Sequence, residues 1–120
     1  MMQPANEPID LTRYATAVNG ALAHQRPAFV ATSGEDGTPD IGPKGSVFVA
    51  DAGHLAYPEY TAVVISPICG GTLLLDTGAL RDELRARVNP IELAQDPDNA
   101  GVIVRIRVDE VVSGRTAHRV

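Results

Sequence analysis

Gly37-Thr-Pro-Asp-Ile-Gly-Pro-Lys-Gly-Ser-Val-Phe-Val49 is the stretch that decides how this chain is read. It leaves a turn, Gly34-Glu-Asp-Gly37, in which Asp-Gly is a favoured hairpin pair. Before the turn lies Ala28-Phe-Val-Ala-Thr-Ser33, rich in strand formers. After it the chain runs extended from Pro39 through Ala50. Asp51-Ala-Gly53 then turns it into a short strand from His54 to Tyr57. The pattern predicts an antiparallel meander of three strands. Within it, Lys44 and Ser46 stand two residues apart, and such residues of a strand share a face. An ammonium and a hydroxyl beside Gly42 and Gly45 suit a phosphate or another anion. Equally, they read as the wet side of a strand whose other face holds Val47 and Val49.

Working outward, Asp10 is a plausible cap for an amphipathic helix carrying Leu11, Tyr14, Ala15, Val18 and Leu22, ending near His24 ahead of Pro27. Ala62-Val-Val-Ile-Ser66 and Thr72-Leu-Leu-Leu-Asp76 are strand candidates. Asp76 or Thr77 caps a helix over 79–88 with an apolar stripe of Leu80, Leu84 and Val88. Glu83 and Arg87 stand at a favourable four-residue spacing. Arg81, Arg85 and Arg87, mixed with Asp82 and Glu83, read as a solvated helix face. Asn89-Pro90 interrupts that helix, Ile91 to Gln95 adds a short turn, and Asp96-Pro-Asp-Asn-Ala-Gly101 is loop chemistry. Val102 to Val108 is the clearest strand. The expected class is mainly β with helices (α+β), a small antiparallel barrel with helices over its ends. Residues 1–9 and 113–120 are expected as tails around one domain, 10–112.

The chain of 120 residues carries a formal charge of −5 with scattered basic residues, which argues against nucleic acid as a partner. Cys69 is the only cysteine and reads as a small apolar residue in a Gly-rich bend. His24, His54 and His118 are far apart, so no metal-ligand spacing is present. No apolar run approaches the ~20 residues of a membrane span, and a soluble, cytoplasmic protein is the default expectation. Tyr57, Glu59 and Thr61 form a second alternating polar set. Pro58 between them favours a strand end or edge, where binding groups often sit, or simply a strand running into a loop. No catalytic residue can be named.

The order of these segments resembles the pyridoxamine 5′-phosphate oxidase-like proteins, the FMN-binding split barrels. The resemblance rests on Pro27 through Val49 with its Pro43-Lys-Gly-Ser46, on His54-Leu-Ala-Tyr-Pro-Glu-Tyr-Thr61, and on Gly78 through Arg87 leading by an Asp-Pro loop into Val102 through Asp109. It implies a six-stranded antiparallel split β-barrel, a homodimer, and flavin at the subunit interface. Lys44, Gly45, Ser46, Tyr57, Glu59 and Thr61 are the implied cofactor contacts. It also implies an FMN-dependent oxidoreductase acting on a small molecule, with a deazaflavin as the other candidate cofactor. The chain departs from the pattern after Thr61, where a phosphate-binding helical segment is expected; no basic residue occurs between Lys44 and Arg81. The second expectation is therefore a shortened split barrel without flavin, acting as a non-redox ligand-binding protein or enzyme. The third is a dimeric module with no ligand.

Overall fold

The Asp36 carboxylate accepts a hydrogen bond from the Thr38 N–H at 2.9 Å, and Gly37 sits at φ 82°, a conformation that favours glycine. This turn closes the hairpin expected from Asp-Gly. In the computed structural model, residues 3–4, 8–19, 28–33, 36–59, 72–114 and 116–120 are described. The elements in order are β1 (Gln3–Pro4), a 3-10 helix (Leu11–Tyr14) running into α1 (Ala15–Asn19), β2 (Ala28–Ser33), β3 (Pro39–Lys44), β4 (Phe48–Asp51), β5 (His54–Glu59), β6 (Thr72–Leu75), α2 (Ala79–Arg85), α3 (Pro90–Leu93), β7 (Val102–Arg107), β8 (Glu110–Ser113) and β9 (Thr116–Arg119). The fold is mainly β with a few helices. All pairings are antiparallel except that of β1 with β9.

The strands divide into three sheets: β2-β3, β4-β5-β7-β6 and β1-β9-β8. No closed six-stranded barrel forms among the described residues. The extended run expected from Pro39 to Ala50 is two strands, because the chain turns at Gly45–Ser46 and β4 joins a different sheet from β3. The meander is thus two hairpins in two sheets. β5 runs two residues further than expected, through Pro58 to Glu59. Its partner β4 reaches only to the Phe48–Ala56 pair, so Pro58 lies beyond β4, a position that tolerates a missing N–H. β5 and β6 flank β7 and both run against it, so they are parallel to each other.

One face of the four-stranded sheet holds Phe48, Ala56 and Ile103, which pack against Leu84 and Val88 from the α2 region. The cross-strand register puts Leu55, Tyr57 and Glu59 of β5, with Val102, Val104 and Ile106 of β7, on the opposite face. Ile103 is 1% exposed and Val104 0%, so β7 is covered on both sides. Full burial of each such side chain is worth roughly 1.5–3 kcal/mol. The helix over 79–88 is α2 plus a turn, and Gly78 at its start makes no side-chain cap, where Asp76 or Thr77 was expected. Asn89 caps α3 by accepting from the Ile91 N–H, with Pro90 in the first turn.

The two expected tails pair with each other. β9 lies between β1 and β8, the Ile9 N–H donates to the Arg119 carbonyl at 2.7 Å, and Ala117 is buried. The helix expected to reach His24 is described only to Asn19. The strand expected at Ala62–Ser66, the bend at Cys69 and the contact residue Thr61 lie outside the described residues.

Candidate functional site

Lys44 ends β3, and its Nζ donates to Glu59 Oε2 of β5 at 2.6 Å. The same ammonium stands 5.5 Å from the centroid of the Tyr57 ring, within cation–π range. Strand register explains the meeting. Lys44 lies opposite Ala28 and shares a face with Val30 and Gly42. Tyr57 and Glu59 share the β5 face turned away from α2. These two faces confront each other, so the cation and the carboxylate link the two-stranded sheet to the four-stranded one. The pair is only partly open, with side-chain exposures of 26% and 12%. Tyr57 is buried; burial first, then the Glu59 charge, raises its phenol above the ordinary value.

Gly45 and Ser46 occupy the turn between β3 and β4, so Ser46 does not share a strand face with Lys44 as the two-residue spacing predicts. Its hydroxyl is instead buried, with no hydrogen-bond partner among the described residues. A buried orphan hydroxyl costs free energy, on the order of 1–3 kcal/mol, unless a water or ligand satisfies it. Of the six expected contacts, Lys44, Tyr57 and Glu59 come together, and Gly45 and Ser46 follow Lys44 in the turn to β4.

The sequence missed the other face of the hairpin. Phe29 and Ile41 are 68% and 66% exposed there, in register-matched company with Ala31 and Pro43. The outward face thus carries two large apolar side chains, while Lys44 stands on the inward face with Ala28 and Val30. The only signal was that β2 is apolar on both faces, which leaves the assignment of inside and outside open.

The arginines of the segment 81–87 also depart from expectation. Arg81 is buried and donates to the carbonyls of Asn99 at 3.0 Å and Gly101 at 2.7 Å. Arg85 donates to the Asp96 carbonyl at 3.0 Å. Arg87 donates to the carbonyls of Ala50 and Val49 at 2.7 Å each and lies over the Phe48 ring. They are loop and strand anchors rather than a solvated face.

A further polar cluster sits at the β4–β5 turn. Asp51 accepts from the Gly53 N–H at 2.9 Å, pairs with His54 Nδ1 at 2.7 Å, and stands 3.6 Å from Arg105. Burial pushes its carboxyl up, but the Gly53 N–H, His54 and Arg105 together hold it below the ordinary value. His54 is the first residue of β5, in the turn setting expected for it. Among the described residues, no three metal-ligating side chains gather, and no helix is long and apolar enough to cross a membrane.

Flavin can be tested against this geometry. The partly open Lys44–Glu59 pair offers a donor and an acceptor of the kind a ring's polar edge uses. The phosphate fits less well, because Glu59 already neutralises Lys44, and Arg81, Arg85 and Arg87 are committed to carbonyls.

No family profile matches the chain, and no curated protein does. One solved structure is similar: a crystal structure from Lactobacillus delbrueckii, provisionally assigned as a pyridoxamine 5′-phosphate oxidase. The TM-score is 0.52 at 21% identity, over 79% of this chain and 90% of that one. That likeness is one of fold: the chain shares the overall architecture of a protein provisionally assigned as a pyridoxamine 5′-phosphate oxidase.

Proposed function

We propose that this protein is an FMN-dependent oxidoreductase of the split-barrel kind, acting on a small molecule, with the flavin held at a homodimer interface. The carrying observation is the Lys44–Tyr57–Glu59 cluster on facing strands. The fold likeness supports it. A bound flavin would supply hydride chemistry, and the protein would supply binding and orientation. Lys44 offers a donor to the ring's polar edge. Tyr57 and the β7 residues behind it keep that side of the site dry.

The proposed dimer accounts for the exposed apolar face of the hairpin. Phe29, Ala31, Ile41 and Pro43 make an outward apolar face, and such faces mark interaction surfaces. Substituting Phe29→Asp together with Ile41→Asp is expected to convert a dimer into a monomer, measured by light scattering after size exclusion. A monomeric wild type at micromolar concentration would remove the dimer from the reading.

The flavin part is tested by the visible spectrum of the purified protein and by titration of FMN against flavin fluorescence. Binding at stoichiometric ratio is the expected result. No spectrum and no quenching overturn it. The Lys44–Glu59 ion pair itself favours a second reading, a split barrel without flavin that binds a neutral small molecule; stoichiometric FMN binding would remove that one.

A further inference from the structure

The charge balance at Lys44 says which part of a ligand this site would take. Phosphate sites collect uncompensated cations and N–H donors. Here the ammonium is neutralised by a carboxylate at 2.6 Å, and no Lys or Arg occurs between Lys44 and Arg81. What the pair offers is a donor and an acceptor side by side at zero net charge. An ammonium has three N–H donors, of which the Glu59 contact takes one; a carboxylate has about four acceptor positions. Both groups are partly open.

Adjacent donor and acceptor match a neutral group with a carbonyl next to an N–H. We infer that the Lys44–Glu59 pair reads the carbonyl/N–H edge of a neutral planar heterocycle, Lys44 donating to the carbonyl and Glu59 accepting from the N–H. The inference rests on the ring-binding reading above and deepens it: recognition falls on the ring's imide edge, and a phosphate adds little.

The test is a fluorescence titration of the full chain with lumiflavin, N3-methyllumiflavin and FMN, with inorganic phosphate as competitor. Lumiflavin and FMN are expected to bind within about threefold of each other, and inorganic phosphate to leave both unchanged. Methylation at N3 is expected to weaken binding by about tenfold or more, because it leaves buried polar groups unpaired. Glu59→Gln frees the Lys44 charge, so FMN is expected to gain about tenfold over lumiflavin, with inorganic phosphate now competing. This gain cannot come from a misfolded variant. Lys44→Met is expected to lose lumiflavin affinity, with a melting curve to check that it folds.

FMN binding tenfold tighter than lumiflavin in the wild type, with competition by phosphate, overturns the inference while leaving flavin binding intact. If no flavin binds, uracil titrated by NMR separates the two ideas. Shifts at Lys44 and Glu59 keep the edge reading and remove flavin; no shifts remove both.

Discussion

Replacing Arg81 by methionine is expected to cost about 3 kcal/mol and to lower the melting temperature by about 10 °C. Arg81 leaves the first turn of α2 and is 4% exposed. One guanidinium nitrogen donates to the Asn99 and Gly101 carbonyls, and the other reaches the Asn99 side-chain oxygen. Asn99 is held at φ 56°, the left-handed region that few residues other than glycine adopt readily. The loop from Asp96 to Gly101 thus depends on a fork of donors that no apolar residue replaces. Methionine fills much of the volume but leaves these acceptors without donors, each costing roughly 1–3 kcal/mol. Arg81→Lys keeps the charge but loses the planar fork, and is expected to recover less than half of the loss. Urea unfolding of the three proteins measures this. A loss below about 1 kcal/mol for Arg81→Met would show that Asp96 holds the loop alone.

The role of Arg81 was not legible in the sequence, and the reason is physical. A long cationic side chain on a helix can lie in water or reach beneath a neighbouring loop, and its local pattern is the same in both cases. The carbonyls that Arg81, Arg85 and Arg87 reach are up to 38 positions away in sequence. Two of the three expected stripe residues were legible because their meaning is local: Leu84 and Val88 sit one turn apart and both are buried, whereas Leu80 at the start of α2 is 37% exposed. β7 was legible for a similar reason, since Ile103 and Val104 are apolar on opposite faces and both faces are covered.

The site was half legible. The segment order put Tyr57 and Glu59 with Lys44, and the structure joins them through two different sheets. The break after Lys44 was not visible, because Gly45-Ser46 fits a turn as well as a strand. The pairing of the chain ends was hidden too. A two-residue strand such as β1 has no periodicity to detect, and its backbone bonds to β9 carry no side-chain signature. The arrangement of Phe29 and Ile41 outside and Lys44 inside reverses what hydropathy predicts for an isolated sheet, and that reversal is what points to a partner surface.

The second large effect is expected at Asp96 and depends on pH. The carboxylate is buried, and its two oxygens accept from the Ala100 and Gly101 N–H groups at 2.8 and 2.9 Å. Burial alone would raise its pKa. The Gly101 and Ala100 donors, then Arg85 and Arg81, outweigh burial and hold the group below its ordinary value of 3.8. A carboxyl whose folded value is depressed stabilises the protein above the unfolded value, about 3.9, and loses that contribution as pH falls through the folded value. Asp96→Asn removes the charge and turns an amide N–H₂ toward one of the two backbone donors. The variant is expected to be less stable by about 2 kcal/mol at pH 7. The gap should narrow as pH falls below about 4, and close once the wild-type carboxyl is protonated in the folded state. Urea unfolding of both proteins between pH 7 and pH 2.5 follows it. A gap that stays constant across that range would mean that Asp96 contributes through shape alone and that its charge does nothing for the loop.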